Sequence, residues 1–374
     1  MSRGRVVIVG GGVIGTMHAR EGRRRDFEVV QLEADEGPRR ASVRNFGLVW
    51  VSGRAVGAEL AAGLRARELW EEVAAEAPGI GFRADGSITV ATDEAELAVM
   101  KEVAARRDAA ERQFELLDAA GVAAANPAVR GEVVGGLLCR RDGVVEPGSV
   151  LPAVRERLVG GGGYRWMAGR RAVAVGTGAV VDHRGERHEG DVVVVCPGAA
   201  HVGLGGAVGA ALAGAPLRRC RLQMMQTTPA TQRLVTSVAD GDSMRYYPAF
   251  DVPARHGLAA PAEETAAFGM QLLLVQRRGG ELTIGDTHVY DEPFDFAVEE
   301  FLYERLRERA EAVLGWRIPP VARRWAGVYS AATDDRVCFR EEVEPGVVVV
   351  TGAAGRGMTL SPAMAEQTWE ELCR

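Results

Sequence analysis

The chain has 374 residues, 47% of them hydrophobic and 26% charged, with a formal net charge of −6. That length suits two domains around a large core, and the acidic balance leaves no electrostatic footprint for nucleic acid or an anionic membrane. No apolar run is long enough to span a bilayer, and no basic and apolar leader precedes the first strand, so a cytoplasmic protein is expected.

Residues 6–9 (VVIV) are a β-branched run that suits a buried parallel strand. Gly10, Gly12 and Gly15 follow in G-x-G-x-x-G spacing. The first allows a tight turn and the second lets backbone approach a pyrophosphate. The third lets the next helix, residues 14–23, pack on the strand. The helix start offers free N–H groups and a positive dipole end to phosphates. A second strand, residues 28–32, ends at Glu33, which lies 33 − 15 = 18 residues beyond the third glycine, near the spacing of a ribose-binding acid.

Next comes ASVRNFGLVW, residues 41–50. Ser42 suits a helix cap or a phosphate donor. Polar Arg44 and Asn45 stand beside Phe46, Gly47, Leu48 and Trp50, a mixture that suits a cofactor's ring edge better than open water. A helix is predicted over 55–75, a strand over 87–93 and a helix over 94–121. Residues 135–150 hold a strand and an Asp142-Gly143 turn, with Pro147 opening a helix to Leu158. Strands follow at 164–167, 171–175, 179–182 and 191–196. The last, with four consecutive valines, reads as a buried return to the first sheet that leaves through Cys196, Pro197 and Gly198.

Residues 213–290 read as mostly antiparallel β, 296–314 as an amphipathic helix, and 323–335 as the crossing back. The end repeats the opening logic. An apolar strand at 347–350 meets a glycine turn (Gly352, Gly355, Gly357), then a helix near Met358 that Thr359 or Ser361 would cap. This divides the chain into a discontinuous nucleotide-binding domain (1–81, 141–205, 325–374) and a substrate domain (82–140, 206–324).

The five cysteines are scattered without a C-x-x-C pair, which argues against a disulfide framework and against a zinc or other metal site. The single lysine, Lys101, falls on a solvated helix, so Schiff-base and P-loop chemistry are not expected. With one G-x-G-x-x-G motif there is no second nucleotide site, and the terminal glycine turn points to a long cofactor held at both ends. FAD fits: the ADP half on the first βαβ unit, the flavin near the last helix.

These residues carry a resemblance over nearly the whole chain. The sequence resembles the FAD-dependent amine and amino-acid oxidase superfamily of D-amino-acid oxidase, glycine oxidase and sarcosine oxidase. Within it, ASVRNFGLVW, VVCPGA, RRCRLQMMQT, MRYYPAF, GELTIGDTHVY, RRWAGVY and GRGMTLS resemble a bacterial branch linked with phosphonate utilisation. The resemblance implies a Rossmann-like FAD domain of glutathione-reductase type and a second α+β domain on a mostly antiparallel sheet. It implies that Gly10, Gly12, Val13, Ile14 and Gly15 hold the pyrophosphate, Glu33 and Ala34 the ribose, and Ser42 and Val43 the phosphate side. Asn45, Phe46, Gly47 and Leu48 would lie against the flavin, and Val173 would bind adenine through its backbone, with Cys196 and Gly198 nearby. Gly355, Gly357, Met358 and Thr359 would donate to the pyrimidine edge, with Gly327, Gly352 and Arg356 also beside the cofactor.

Two departures matter. The amino-acid oxidases carry an arginine in W-x-G-x-R-P that grips the substrate carboxylate; here the segment runs Trp325, Ala326, Gly327, Val328, Tyr329, which disfavours a plain α-amino acid. No cysteine lies beside this tyrosine, so non-covalent FAD is expected. Arg245, Tyr247, His288, Arg324 and Tyr329 are the candidates for the substrate's anionic group, because arginine matches phosphonate or carboxylate oxygens bidentately; Asn45 joins them as a catalytic candidate. The implied reaction moves a hydride from the α-carbon of a small neutral amine to the flavin, hydrolyses the imine, and passes the electrons to O2 as peroxide. It needs alignment and desolvation and no dedicated acid or base. A 2-aminoethylphosphonate-like amine is the first expectation. A glycine, sarcosine or D-amino-acid-type oxidase and a non-oxidase flavoprotein subunit stay open, as does the oligomeric state.

Overall fold

A computed structural model describes residues 3–295 and 297–373. The chain opens with β1 (Arg5–Val9), α1 (Val13–Arg24) and β2 (Glu28–Leu32), then a short β3 (Leu48–Val49) and α2 (Ala58–Glu76). It continues through β4 (Ser87–Ala91), α3 (Glu94–Ala104), α4 (Ala109–Arg112), β5 (Phe114–Asp118), α5 (Ala119–Ala125), β6 (Gly135–Cys139) and β7 (Gly143–Val144). Helix α6 (Pro147–Gly160) precedes β8 (Tyr164–Met167), β9 (Ala172–Gly176), β10 (Ala179–Asp182), β11 (Arg187–Glu189) and β12 (Val192–Val195). Then come α7 (Gly206–Gly214), β13 (Leu217–Pro229), β14 (Ser237–Ala239), α8 (Asp242–Tyr246), α9 (Glu263–Ala266), β15 (Leu273–Gln276), β16 (Glu281–Gly285), α10 (Glu300–Leu314) and β17 (Val321–Ala332). The end is β18 (Phe339–Glu344), β19 (Val347–Thr351) and α11 (Gly357–Leu372).

Two large sheets organise these elements. The first has the order β18-β19-β12-β1-β2-β8, with every pairing parallel except the β18 edge. Its central valines are buried on both faces, which is why the strands read as continuous apolar runs instead of alternating ones. The return of the four-valine strand to β1 is in register, Val6 to Val192 through Val9 to Val195. The second sheet runs β17-β13-β16-β15-β14-β4-β6-β5 and is antiparallel except at β14–β4.

The helices that carry the two glycine turns, α1 and α11, pack on each other. Trp369 is fully buried and its indole N–H donates to the His18 carbonyl at 3.0 Å. The His18 ring is buried between the helices: Nδ1 lies 2.8 Å from the Ile14 carbonyl and Nε2 3.0 Å from the Thr368 hydroxyl. Burial pushes its pKa down to about 4. Trp70 on α2 donates to the Met358 and Thr359 carbonyls, which fixes the first turn of α11.

Several expectations are corrected. The helix read over 94–121 is broken: Asp93 caps α3 by accepting from the Glu96 N–H, and residues 114–118 pair with β6 as an edge strand. Helix-forming Ala and Glu on either side hid that short strand. Much of 240–269 is short helix and loop, with Pro248 and Pro253 opening tight turns where a strand would lose its ladder donor. The helix expected from Phe296 begins at Glu300; Phe296 itself lies outside the described residues. The crossing back comes after Ala332, not at residue 325, because β17 pairs with β13 from Val321 to Ala332. Among the described residues, no helix is long and apolar enough to cross a membrane.

Candidate functional site

Backbone shapes the first cavity, a groove of about 940 Å³ between the two glycine turns. Gly10 has φ +109°, and a Cβ there would stand 2.3 Å from the Cys196 carbonyl oxygen; a Cβ on Gly15 would stand 2.1 Å from the Gly10 oxygen. Only glycine lets strand exit, turn and helix approach this closely. The start of α1 has no cap of its own; the Val13 N–H donates to the Ser42 hydroxyl at 2.9 Å, so Ser42 reaches the helix N-terminus from a distant turn. Glu33 closes the far end, its carboxylate accepting from the Gly11 and Asp35 N–H groups at 2.6 and 2.9 Å. A Cβ on Gly12 would come within 3.0 Å of the Ser42 oxygen, so a side chain there would press on the hydroxyl that holds the start of α1.

Gly12, Val13, Ile14, Gly15, Ser42, Asn45, Phe46, Cys196, Gly198, Gly327, Tyr329, Gly352, Gly355, Gly357 and Met358 all line this groove. Residues from both ends of the chain thus meet in one long cleft, glycine-rich at the two turns and lined elsewhere by Phe46, Leu222, Met224 and Tyr329, which fits a dinucleotide cofactor. Gly10 and Glu33 support it from beneath and from the end. Val43 packs on the core, Ala34 is exposed, and Val173 is half-exposed on β9, outside both cavities. Gly47 (φ +69°) is a close-approach position against the Val145 carbonyl.

Side chains shape the second cavity, a chamber of about 830 Å³ that shares Asn45, Phe46, Asp286, Ala354, Gly355 and Met358 with the groove. One wall is an ionic chain. Arg54 Nη1 lies 3.1 Å from Glu59 Oε1, and Arg356 Nη1 lies 3.1 Å from Glu59 Oε2. Two guanidiniums against one carboxylate leave this wall positive. Burial lowers the Arg54 pKa and Glu59 opposes the shift. The loop bearing Arg54 is clamped from both sides. Val51 and Ser52 N–H groups donate to Asp142 Oδ1 at 2.5 and 3.0 Å, while buried Arg112 donates to the Val51, Ser52 and Arg54 carbonyls at 2.7–3.0 Å. Asp142 is therefore a buried anchor and more than a turn residue.

The opposite chemistry comes from β16 and α8. Asp286, His288, Gln271, Tyr246 and Tyr247 line the chamber. The Tyr246 and His288 rings stack at 4.3 Å, and the Arg54 guanidinium lies 5.6 Å from the Tyr247 ring centroid. Burial pushes both tyrosine hydroxyls well above their ordinary pKa, so they stay protonated donors.

The structure brings Tyr247, His288 and Asn45 to the chamber. The Asn45 side chain is committed to its own loop, its amide donating to the Ala41 carbonyl and its oxygen accepting from the Gly47 N–H. Tyr329 turns to the groove and not the chamber, its buried hydroxyl without a partner among the described residues. Arg245 and Arg324 are not in the site. Arg245 is held by the Ala259 carbonyl and Asp242, and Arg324 by Glu300 at 2.8 Å. Arg356 and Thr359, expected beside the cofactor, line the chamber. Neither Thr359 nor Ser361 caps α11; the Thr359 hydroxyl donates to the Leu48 carbonyl and accepts from the Trp50 N–H, strapping α11 to β3. Sequence reasoning missed Arg54, Glu59, Tyr246, Gln271 and Asp286. The one local signal was a charged residue, Arg54, three positions beyond the apolar run 48–51.

Residues 5–370 match the family model described as DAO: FAD dependent oxidoreductase. One of the subunits of opine oxidase from Rhizobium meliloti is 29% identical over 155 residues, 37% of this chain, and the chain spans about 40% of the length of that curated relative. Among solved structures, glycine oxidase from Bacillus cereus superposes with a TM-score of 0.79 at 18% identity, covering 99% of this chain and 96% of that one. L-alpha-glycerophosphate oxidase from Mycoplasma pneumoniae, solved with FAD bound, has a TM-score of 0.74 at 17% identity, covering 100% and 96%.

Proposed function

The chain belongs to the DAO family of FAD-dependent oxidoreductases, and on that premise we propose that it oxidises the C–N bond of a small amine bearing an anionic group, first of all an aminophosphonate related to 2-aminoethylphosphonate. Bound FAD supplies the two-electron acceptor, here without a covalent link, and O2 takes the electrons onward as peroxide. The products are an aldehyde and a released amine or ammonia, in the cytoplasm. One observation carries the reading: the Arg54–Glu59–Arg356 wall sets two guanidiniums against one carboxylate in the chamber that adjoins the flavin groove, with Arg54 and Glu59 buried and Arg356 partly so.

The groove residues fit the cofactor. The Ser42 hydroxyl, which the Val13 N–H holds at the start of α1, would meet its phosphates, Glu33 would meet the ribose, and the first turn of α11 would face its pyrimidine edge. In the chamber, Arg54 and Arg356 grip the substrate's anion with charge-assisted hydrogen bonds, which orients the α-carbon toward the groove. Trp50, Phe46 and Met358 exclude water from the reacting carbon. The arginine missing at Tyr329, which faces the groove, is thus answered by two arginines in the chamber.

The test is product analysis with the isolated, FAD-loaded chain against 2-aminoethylphosphonate, its N-methyl and 1-hydroxy forms, glycine, sarcosine and D-alanine. Peroxide and aldehyde from an aminophosphonate support the reading; turnover of glycine, sarcosine or D-alanine alone replaces it with the amino-acid-type alternative. The likeness to a protein named as an oxidase subunit favours one second reading, a flavoprotein component of a larger assembly. Peroxide formation by the isolated chain rejects it.

A further inference from the structure

Two buried carboxylates line the chamber, and they are treated differently. Glu59 is paired twice, by Arg54 and by Arg356. Asp286, only 6% exposed, has no guanidinium or ammonium within ion-pair reach among the described residues. Its contacts are the Gln271 side-chain amide, which donates to Oδ1 at 3.2 Å, and the His288 ring, whose Nε2 lies 3.7 Å from Oδ2. A carboxylate withdrawn from water without a fixed cation is costly, and burial pushes its pKa up.

Gln271 adds a second orphan. With its amide nitrogen given to Asp286, its Oε1 is a buried acceptor without a partner among the described residues. The other unpartnered polar atoms lining the chamber, Trp50 Nε1 and Arg54 Nε, are donors. The chamber therefore carries unused donors with the guanidiniums and an unused acceptor with the lone carboxylate, a pattern complementary to a zwitterion. Asp286 also lines the groove, so it stands where substrate and cofactor meet.

We propose that Asp286, with Gln271, is the ammonium subsite, and that its carboxylate takes the proton whose loss frees the amine's lone pair. This rests on the reading of an anionic amine as substrate. The N–H bond breaks, its proton forms an O–H bond on Asp286, and its electron pair stays on nitrogen. Ammonium and carboxylate become amine and carboxylic acid, with charge conserved. The neutral amine is the form whose α-hydrogen leaves as hydride, so Asp286 acts before the redox step. His288, its Nδ1 held at 3.0 Å from the Gly269 carbonyl and its ring stacked on Tyr246, flanks the carboxylate at 3.7 Å.

The experiment measures binding to the FAD-loaded protein by calorimetry, with two probes that have no hydrogen on the carbon to be oxidised. One is 2-amino-2-methylpropylphosphonate; the other is 2,2-dimethylpropylphosphonate, in which a methyl group replaces the ammonium. Wild type binds the amine more tightly than its isostere. Asp286→Asn weakens the amine by about tenfold or more and leaves the isostere within about twofold, and Asp286→Glu restores part of the preference. Equal losses for both probes, or no loss for either, overturn the subsite. If wild type binds the isostere but shows no preference for the amine, the subsite fails while the anion wall stands. If wild type binds neither probe, the underlying substrate reading fails and the subsite with it.

Discussion

The groove and the chamber adjoin, yet they are made of different material. The groove is shaped by backbone where the two glycine turns meet, with Phe46, Leu222, Met224 and Tyr329 completing its walls. The chamber is side chain: two arginines, two carboxylates, tyrosines and a histidine brought from α2, β16, α8 and the last turn before α11. A backbone site is specified by spacing and tolerates no added atoms. A side-chain site is specified by pairing and fails one charge at a time. That difference separates what each region does when it is altered.

The largest effect is expected where bulk enters the backbone site. Gly12→Val places a branched side chain over the start of α1 and should weaken FAD binding on the order of a hundredfold, leaving a purified protein that is folded and colourless. A yellow variant with wild-type FAD content contradicts the description of the groove.

Acid attacks the same region from behind. The folded pKa of His18, about 4, is below its ordinary 6.5, so the unfolded chain takes up the proton first. The stability this group supports is fully present above pH 6.5 and is lost as pH falls toward 4, by about 3 kcal/mol. Thermal melts across that window should show the loss, and His18→Gln should flatten the slope. An unchanged slope removes His18 as its cause.

In the chamber, Arg54→Met should keep its FAD and raise KM for an anionic amine by about thirtyfold, the roughly 2 kcal/mol of a lost charge-assisted bond. Loss of FAD in this variant would show that the two regions are not separable. A smaller change is expected in the groove: Ser42→Ala removes the borrowed cap of α1 and should cost about 1 kcal/mol of stability, read from the denaturation midpoint. The smallest is none: Arg245→Leu and Arg324→Leu should leave KM within about twofold, since neither guanidinium faces the chamber.

The same contrast explains what the sequence discloses. Gly10, Gly12, Gly15 and Gly355 announce the groove because a backbone site needs fixed spacing within one turn, and VVIV and the four valines from 192 announce the sheet beneath it. Arg54, Glu59 and Arg356 could not be joined in the same way. Their pairing depends on a loop held by Asp142 and Arg112, residues whose buried roles have no local pattern. Arg245 and Arg324 were the arginines the sequence offered, yet Ala259, Asp242 and Glu300 occupy them. Strand β5 went unread because Phe114–Asp118 (FELLD) is short and lacks clean alternation, with helix formers on both sides.

The central claim is that the arginine-rich wall of the chamber beside the FAD groove selects amines by an anion. Anaerobic mixing of the FAD-loaded protein with 2-aminoethylphosphonate, and separately with ethylamine, tests it most directly. The account predicts that the phosphonate amine bleaches the flavin and that ethylamine at equal concentration does so at least about a hundredfold more slowly. Equal bleaching by both, or by neither, would contradict it.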